Sequence, residues 1–160
     1  MPSVSLRSCL GRFATGVVVV TFEGPDGPRG LTINSFTSVS MDPPLILVSV
    51  ARKARAHELL QDRPFCVNVL GAEQKALAMQ FAGSPSDVPV TWVHDGVAPR
   101  LAGVLAHLGC RPWRAYDGGD HSLFLGEVED YHCRDGHALG FHGSGFTAIG
   151  DNQLGIEDLF

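Results

Sequence analysis

Apolar and polar positions along the chain repeat with the period of a strand more often than with that of a helix. Residues 17–22 (VVVVTF) and 45–50 (LILVSV) are almost unbroken apolar runs, the second read as a strand buried on both faces. In FCVNVL, residues 65–70, Phe65, Val67 and Val69 alternate with Cys66, Asn68 and Leu70, as the pleat of a strand requires. The turn chemistry of GPDGPRG at 24–30 joins the first run to a second strand from about Leu31, which predicts a hairpin. Two long strand-like segments, 101–116 and 121–133, flank DGGD at 117–120, and 138–146 reads as a last short strand. Helical spacing is confined to short pieces. Leu6, Cys9, Leu10 and Phe13 share one face of a helix capped by Ser3 or Ser5 and stopped by Gly16, and residues 55–62 and 72–82 carry two more helices. Residues 83–99 have no period and predict a long surface loop of the kind that borders a site. At least six strands, two or three short inserted helices and no strict strand–helix alternation predict a mainly β fold, an antiparallel barrel. One domain covers residues 1–150, and 151–160 form an appended tail or a partner-contacting arm.

Composition narrows the functional classes. A chain of 160 residues buries about two-thirds of its unfolded surface in one core, and 44% hydrophobic with 18% charged residues is a globular balance. The net charge of −5 offers no basic field for phosphate backbones, which argues against nucleic acid as a partner. No apolar run reaches the roughly 20 residues that span a bilayer, and the N-terminus lacks the apolar stretch of a signal peptide, so the expectation is a cytoplasmic protein without membrane contact. The four cysteines have no CxxC spacing and are expected to be reduced, buried thiols. His132, Cys133, His137 and His142 match no zinc pattern, and no metal is expected. GxSxG, P-loop and GxGxxG sequences do not occur.

Three features carry candidate chemistry. Between Thr32 and Ser40 the chain places five hydroxyls and an Asn. Run extended, that segment sets Thr32, Asn34, Ser38 and Ser40 on one face as far as the first bend. Such a row, with main-chain amides, can hold the edge of a flat heterocycle or a phosphate; the same residues can also serve only to satisfy turns before Pro43-Pro44. GGDH at 118–121 delivers Asp120 and His121 to the start of a strand, where the imidazole can donate a hydrogen bond or a proton; an ordinary hairpin with a surface His is the alternative. Arg52, Lys53 and Arg55 follow the buried strand at 45–50 and suit a phosphate, or are simply a solvated connection.

RFATGVVVVT (12–21), GLTINSFTSVSMDPPLILVSV (30–50), FCVNVL (65–70) and GDHSLFLGEVED (119–130), in order over about residues 7–147, closely resemble the flavin reductase-like family. The resemblance implies a Greek-key, FMN-binding split β-barrel that works as a homodimer with flavin near the subunit interface. It implies an NAD(P)H:flavin oxidoreductase that uses NADH or NADPH to reduce FMN or FAD and releases the reduced flavin to a separate flavin-dependent monooxygenase. Carried over to this chain, the flavin contacts are Thr32, Asn34, Ser35, Ser38, Val39 and Ser40, with Ala51, Lys53 and Arg55 near the phosphate and Phe81 beside the ring. His121, with Asp120 in the same motif, falls on the nicotinamide side. Two departures stand out: LGFHGSGF at 139–146 keeps aromatics at Phe141 and Phe146 but lacks the tyrosine hydroxyls and the cation common in the family, and Ala54 replaces a frequent phosphate-binding Ser. The first of these speaks for an alternative, a flavin-binding protein or a flavin-retaining oxidase on the same barrel without NAD(P)H turnover. The GDH motif speaks for the reductase.

Overall fold

In the computed structural model of the protein, residues 3–84 and 87–150 are described; the expected tail at 151–160 lies outside them. The chain opens with α1 (Leu6–Leu10) and β1 (Thr15–Gly16), then forms the hairpin β2 (Val18–Gly24) and β3 (Gly27–Ile33). The hairpin β4 (Phe36–Met41) and β5 (Pro44–Ala51) follows, then α2 (Arg55–Leu59), β6 (Phe65–Val69), a 3-10 turn (Ala72–Gln74) and α3 (Lys75–Gln80). The short strands β7 (Trp92–Val93) and β8 (Arg100–Leu101) precede the long hairpin β9 (Ala106–Gly118) and β10 (His121–Cys133), and the chain ends in β11 (Ala138–His142) and β12 (Gly145–Ile149). Among the described residues no helix is long and apolar enough to cross a membrane.

Seven strands form one antiparallel sheet in the order β3-β2-β6-β9-β10-β5-β4. Its two edge strands, β3 and β4, are neighbours in sequence, separated only by Asn34 and Ser35. A flat sheet of this width would hold its edges about 29 Å apart, whereas a two-residue link spans at most about 11 Å. The sheet therefore curls until its edges nearly meet, and the barrel is split along the seam that Asn34–Ser35 bridges. All seven strands point side chains into the interior: Val18, Val20 and Phe22 from β2 pack with Ile46, Val48, Val50, Phe65, Val67, Cys110 and Phe124, with Leu31, Ile33 and Phe36 against them. The opposite face of β2 is also covered, since Val19 and Val17, just before the strand, pack with Leu70, Leu77, Ala78, Leu101 and Leu139. Burial on both sides explains why residues 17–22 show no alternation.

Several boundaries differ from the sequence reading. The segment 101–116 is not one strand: the chain turns at residues 102–105, where Gly103 adopts φ +77, and β8 and β9 are separate. Residues 138–146 are not a single strand either, because Gly143 (φ +58) and Ser144 (φ 64) reverse the chain into the β11–β12 hairpin. The first helix is capped by Ser5, whose Oγ accepts from the Ser8 N–H at 3.1 Å, and it ends at Gly11, well before Gly16. Its apolar face is left largely uncovered by the described residues: Leu6, Leu10 and Phe13 are 74%, 66% and 78% exposed. Of the four free cysteines, Cys66 and Cys110 are buried as expected, but Cys9 and Cys133 are exposed. Burial pushes the Cys66 thiol up to about 12 and raises Cys110 as well, so neither is a nucleophile at neutral pH.

A buried polar knot ties the connection before β9 to the barrel. The Asn68 amide donates to the Val19 carbonyl and to Thr21 Oγ1, both at 2.9 Å, and its oxygen accepts from the Leu101 N–H at 2.9 Å. Thr21 Oγ1 donates in turn to the Pro99 carbonyl at 2.5 Å. Asn68 is fully buried, so removing its amide leaves several dry polar groups without partners. Asn68→Ala is expected to lower unfolding free energy by about 2–3 kcal/mol, measured by denaturant titration; a loss below about 0.5 kcal/mol would mean the knot is replaceable.

Candidate functional site

The seam gathers the first group of the sequence's candidate residues. Asn34, on the link, is exposed, and no hydrogen bond of its side-chain amide is present among the described residues. It walls two cavities. One, of about 370 Å³, is lined by Phe13, Thr15, Gly16, Val17, Val18, Asn34, Phe36 and Val69. The other, of about 180 Å³, is bounded by Val17, Thr32, Asn34, Ala82, Phe141 and Phe146. Apolar walls around one free amide suit a flat ring with a hydrogen-bonding edge. Thr15 Oγ1, on the larger cavity, is the one buried side-chain oxygen or nitrogen without a partner among the described residues. A buried hydroxyl in that state has a hydrogen bond to offer a water or a ligand in the cavity.

The predicted hydroxyl row is rearranged by tertiary contacts. Thr32 Oγ1 donates to the Ala78 carbonyl at 2.6 Å, and Ser35 Oγ donates to the Ser49 carbonyl at 2.7 Å. Both protons are thus committed inside the chain, leaving only oxygen lone pairs for a ligand. The Ser35 carbonyl also accepts from the Ser49 N–H at 3.3 Å, so the link is fastened to β5. Beyond it, Ser38 lies opposite Ile46 and Ser40 opposite Leu45, with Val39 bulged out between them. The bulge inverts the alternation, so Ser38 and Ser40 face opposite sides of the sheet instead of sharing one. Val39 is 47% exposed, and β4, as an edge strand, offers a row of unpaired main-chain groups.

Phe81 caps the end of α3 against the other edge. Its carbonyl accepts from the Thr32 N–H at 3.1 Å, and its ring lies over Gly30, where a Cβ would come within 2.7 Å of it. Trp92 holds the ring edge-on at 5.8 Å between centroids. The hairpin that departs from the family pattern also reaches the site, as Phe141 and Phe146 pack edge to face at 5.5 Å on the smaller cavity. A cation comes to it from α3, with Lys75 Nζ 5.8 Å from the Phe146 ring centre. Thr15, Val17, Phe141 and Phe146 were not among the predicted site residues. The RFATG stretch and the aromatics of 139–146 were their only signals.

The second half of the site lies at the ends of β5 and β10. Ala51 pairs with His121, and Ser49 with Leu123, so Ser35, Ser49, Ala51 and His121 run along one face within about 7 Å of strand. His121 Nδ1 lies 2.7 Å from Asp120 Oδ1. A carboxylate only accepts, so Nδ1 carries the proton and Nε2 is the free nitrogen. The hydrogen bond from His121 and its charge, with Lys53 adding to them, hold the Asp120 carboxyl below the usual carboxylate range. The pair is therefore ionised on the carboxylate side at neutral pH, and it is lost only as pH falls through that lowered value. Lys53 and Arg55 are exposed and form no ion pair among the described residues. Arg52 differs from them: the sequence grouped it with the phosphate cations, but its guanidinium is bound to Gly119 and Asp117. Among the described residues, no group of three or more His, Cys, Asp or Glu is placed to hold a metal ion.

The family described as the flavin reductase like domain matches residues 10–150. The FMN reductase (NADH) SmoA of Agrobacterium fabrum is 43% identical over 148 residues, 90% of this chain and 84% of the relative. An NADH-dependent FAD reductase of Streptomyces globisporus is 48% identical over 134 residues, 78% of this chain and 73% of its own length. The reductase component of a 4-nitrophenol 4-monooxygenase/4-nitrocatechol 2-monooxygenase of Rhodococcus opacus is 34% identical over 145 residues, covering 89% and 78%. Among solved structures, the flavin reductase PheA2 superposes with a TM-score of 0.88 at 36% identity, over 94% of this chain and all of the other.

The Asp120–His121 geometry fixes a measurable tautomer. In the neutral ring the proton sits on Nδ1, and Asp120→Asn, which offers a weaker neutral acceptor, is expected to move a large fraction of it to Nε2. Long-range ¹H–¹⁵N correlation of the imidazole above pH 7.5 reads this directly; identical nitrogen shifts in the two proteins would show that Asp120 does not set the ring.

Proposed function

The chain belongs to the flavin reductase-like family, and from that premise we propose that it oxidises NADH to reduce free FMN or FAD, which then serves a flavin-dependent monooxygenase. The observation that carries this reading is the unpartnered Asn34 amide at the seam, flanked by apolar cavities and by a buried hydroxyl without a partner. A flavin brings the hydride-accepting ring, and NADH brings the hydride; the work of the chain is to bind, orient and exclude water. The amide of Asn34 and the free edge of β4 at Ser38, Val39 and Ser40 meet the polar edge of the ring. Phe81, Phe141 and Phe146 supply its apolar support. Lys53 and Arg55, next to Ala51, take the phosphate without help from Ala54, which offers no side-chain cap to α2. His121 Nε2 faces the nicotinamide, with its tautomer set by Asp120. Donors fixed in place stabilise the charge that develops on the ring without a formal cation beside it.

Relatives that are NADH-dependent support NADH over NADPH as the reductant, and one FMN and one FAD reductase among them support a site that accepts either flavin. The 4-nitrophenol system, among others, supports a monooxygenase as consumer of the product. A cytoplasmic location agrees with the free, exposed thiols of Cys9 and Cys133.

Homodimerisation belongs to the same proposal. His121, Leu123 and Leu125 share the outer face of the sheet with Ala51, Ser49 and Leu47. Exposed Val39, Met41 and Tyr116 (47%, 91% and 46%) and the bare face of α1 add to the uncovered apolar surface. Surface of this kind is what a second copy covers. Analytical ultracentrifugation is expected to give twice the 17.1 kDa of one chain; a single species at that mass at micromolar concentration would refute the dimer.

Mixed anaerobically with oxidised FMN and NADH, catalytic amounts of the protein are expected to bleach the visible flavin absorbance over many turnovers. Binding of FMN without bleaching by either nicotinamide would establish the flavin-binding alternative instead.

A further inference from the structure

Residues 111–118 of β9 run on past the end of β6, whose pairing with β9 stops at Cys110. Along this stretch β10 is the one strand paired with β9 among the described residues, and β9 is exposed throughout. The hairpin closes through Asp117, Gly118, Gly119 and Asp120, with Gly119 at φ +74. Two successive glycines have more backbone freedom to lose than any other pair of residues. Ordering a tip built this way costs more backbone entropy than ordering most turns, and an added brace offsets that cost. The tip carries the Asp120–His121 pair, whose placement decides where Nε2 points.

The neighbour on the other side is β5, which ends at Ala51 opposite His121. The next residue, Arg52, continues the ladder and then wraps the tip. Its backbone N–H donates to the Asp120 carbonyl at 2.9 Å. Its Nε donates to the Gly119 carbonyl at 2.8 Å, and a terminal guanidinium nitrogen donates to Asp117 Oδ1 at 2.5 Å. One residue thus holds three of the four tip residues from three directions. An exposed ion pair alone contributes little, but here the fork of one guanidinium bridges a carbonyl and a carboxylate at once, which a lysine cannot reproduce.

We propose that Arg52 is a positioning residue for nicotinamide engagement: by clasping the Asp117–Asp120 tip it holds His121 at the place where it meets NADH, without touching the nucleotide itself. The inference rests on the role of His121 given above. It separates Arg52 from Lys53 and Arg55, whose charges are free for phosphate.

Steady-state kinetics with NADH and FMN varied separately test the proposal on Arg52→Ala, Arg52→Lys, His121→Ala and the double variant Arg52→Ala/His121→Ala. Arg52→Ala is expected to reduce kcat/KM for NADH about tenfold while the KM for FMN stays within about twofold, which also shows that the variant is folded. Arg52→Lys, able to keep the Asp117 contact but not both, is expected to fall between it and the parent. Because Arg52 acts through His121, the double variant is expected to be no worse than His121→Ala alone. Full additivity would overturn the proposal by showing that Arg52 acts on NADH independently. An impaired His121→Ala beside an unimpaired Arg52→Ala would overturn the brace alone. Unchanged NADH kinetics in His121→Ala would overturn the reading of His121, and this role with it.

Discussion

Two residues joining the two edge strands of a seven-stranded sheet impose most of what this molecule does. Because Asn34 and Ser35 cannot span a flat sheet, the sheet has to roll, and because they join its edges they lie on the line where the roll fails to close. Main-chain groups left unpaired at such an edge ordinarily invite aggregation. Here the edges are partly answered from within. Thr32 is bonded through its N–H to Phe81 and through its hydroxyl to Ala78, and Ser35 is bonded to Ser49 on both sides. What remains open is narrow: the Asn34 amide, the outer side of β4 and the apolar hollows next to them. On the function proposed above, the docking place for a flat, polar-edged molecule follows from how the barrel fails to close.

The same topology decides where the second half of the site can be. β5 leaves the seam and runs beside β10, so its last residue, Ala51, comes to lie against His121. Ser35, beside Asn34 on the link, therefore shares one sheet face and one line of strand with His121, which on the function proposed above sets the two ligands along it. The glycine-rich tip that makes the sharp β9–β10 turn is also the least supported part of the hairpin, and the residue after Ala51 compensates for it. In this way the register of β5 against β10 supplies alignment and rigidity together.

Much of this was legible in the sequence, for physical reasons. Strands buried on one or both faces write themselves as alternation or as apolar runs, and both readings located β2, β5 and β6. Helical periodicity likewise revealed the apolar face of α1, but periodicity states that a face is apolar and not what covers it, and the described residues leave this face largely exposed. Turns with positive φ inside apolar stretches went unread: Gly103 and the Gly143–Ser144 pair look like ordinary members of strands until the chain reverses there. The hydroxyl row was visible as composition, yet its partners are 46 and 14 residues away for Thr32 and Ser35, and a bulge at Val39 inverted the faces. Arg52 shows the same limit. Beside Lys53 and Arg55 it reads as one more phosphate cation, and only the approach of residues 117–120, some 65 positions later, gives it a different task.

The most direct test of the account is an amide chemical-shift titration of the isotope-labelled protein with oxidised FMN in the absence of nicotinamide. The account predicts that the largest changes map to Asn34 and its link, to residues 15–17 and to the free side of β4, with smaller ones near Lys53. Changes concentrated at the other end of the long hairpin, around His107 and His132, with the link between the two edge strands unmoved, would contradict it.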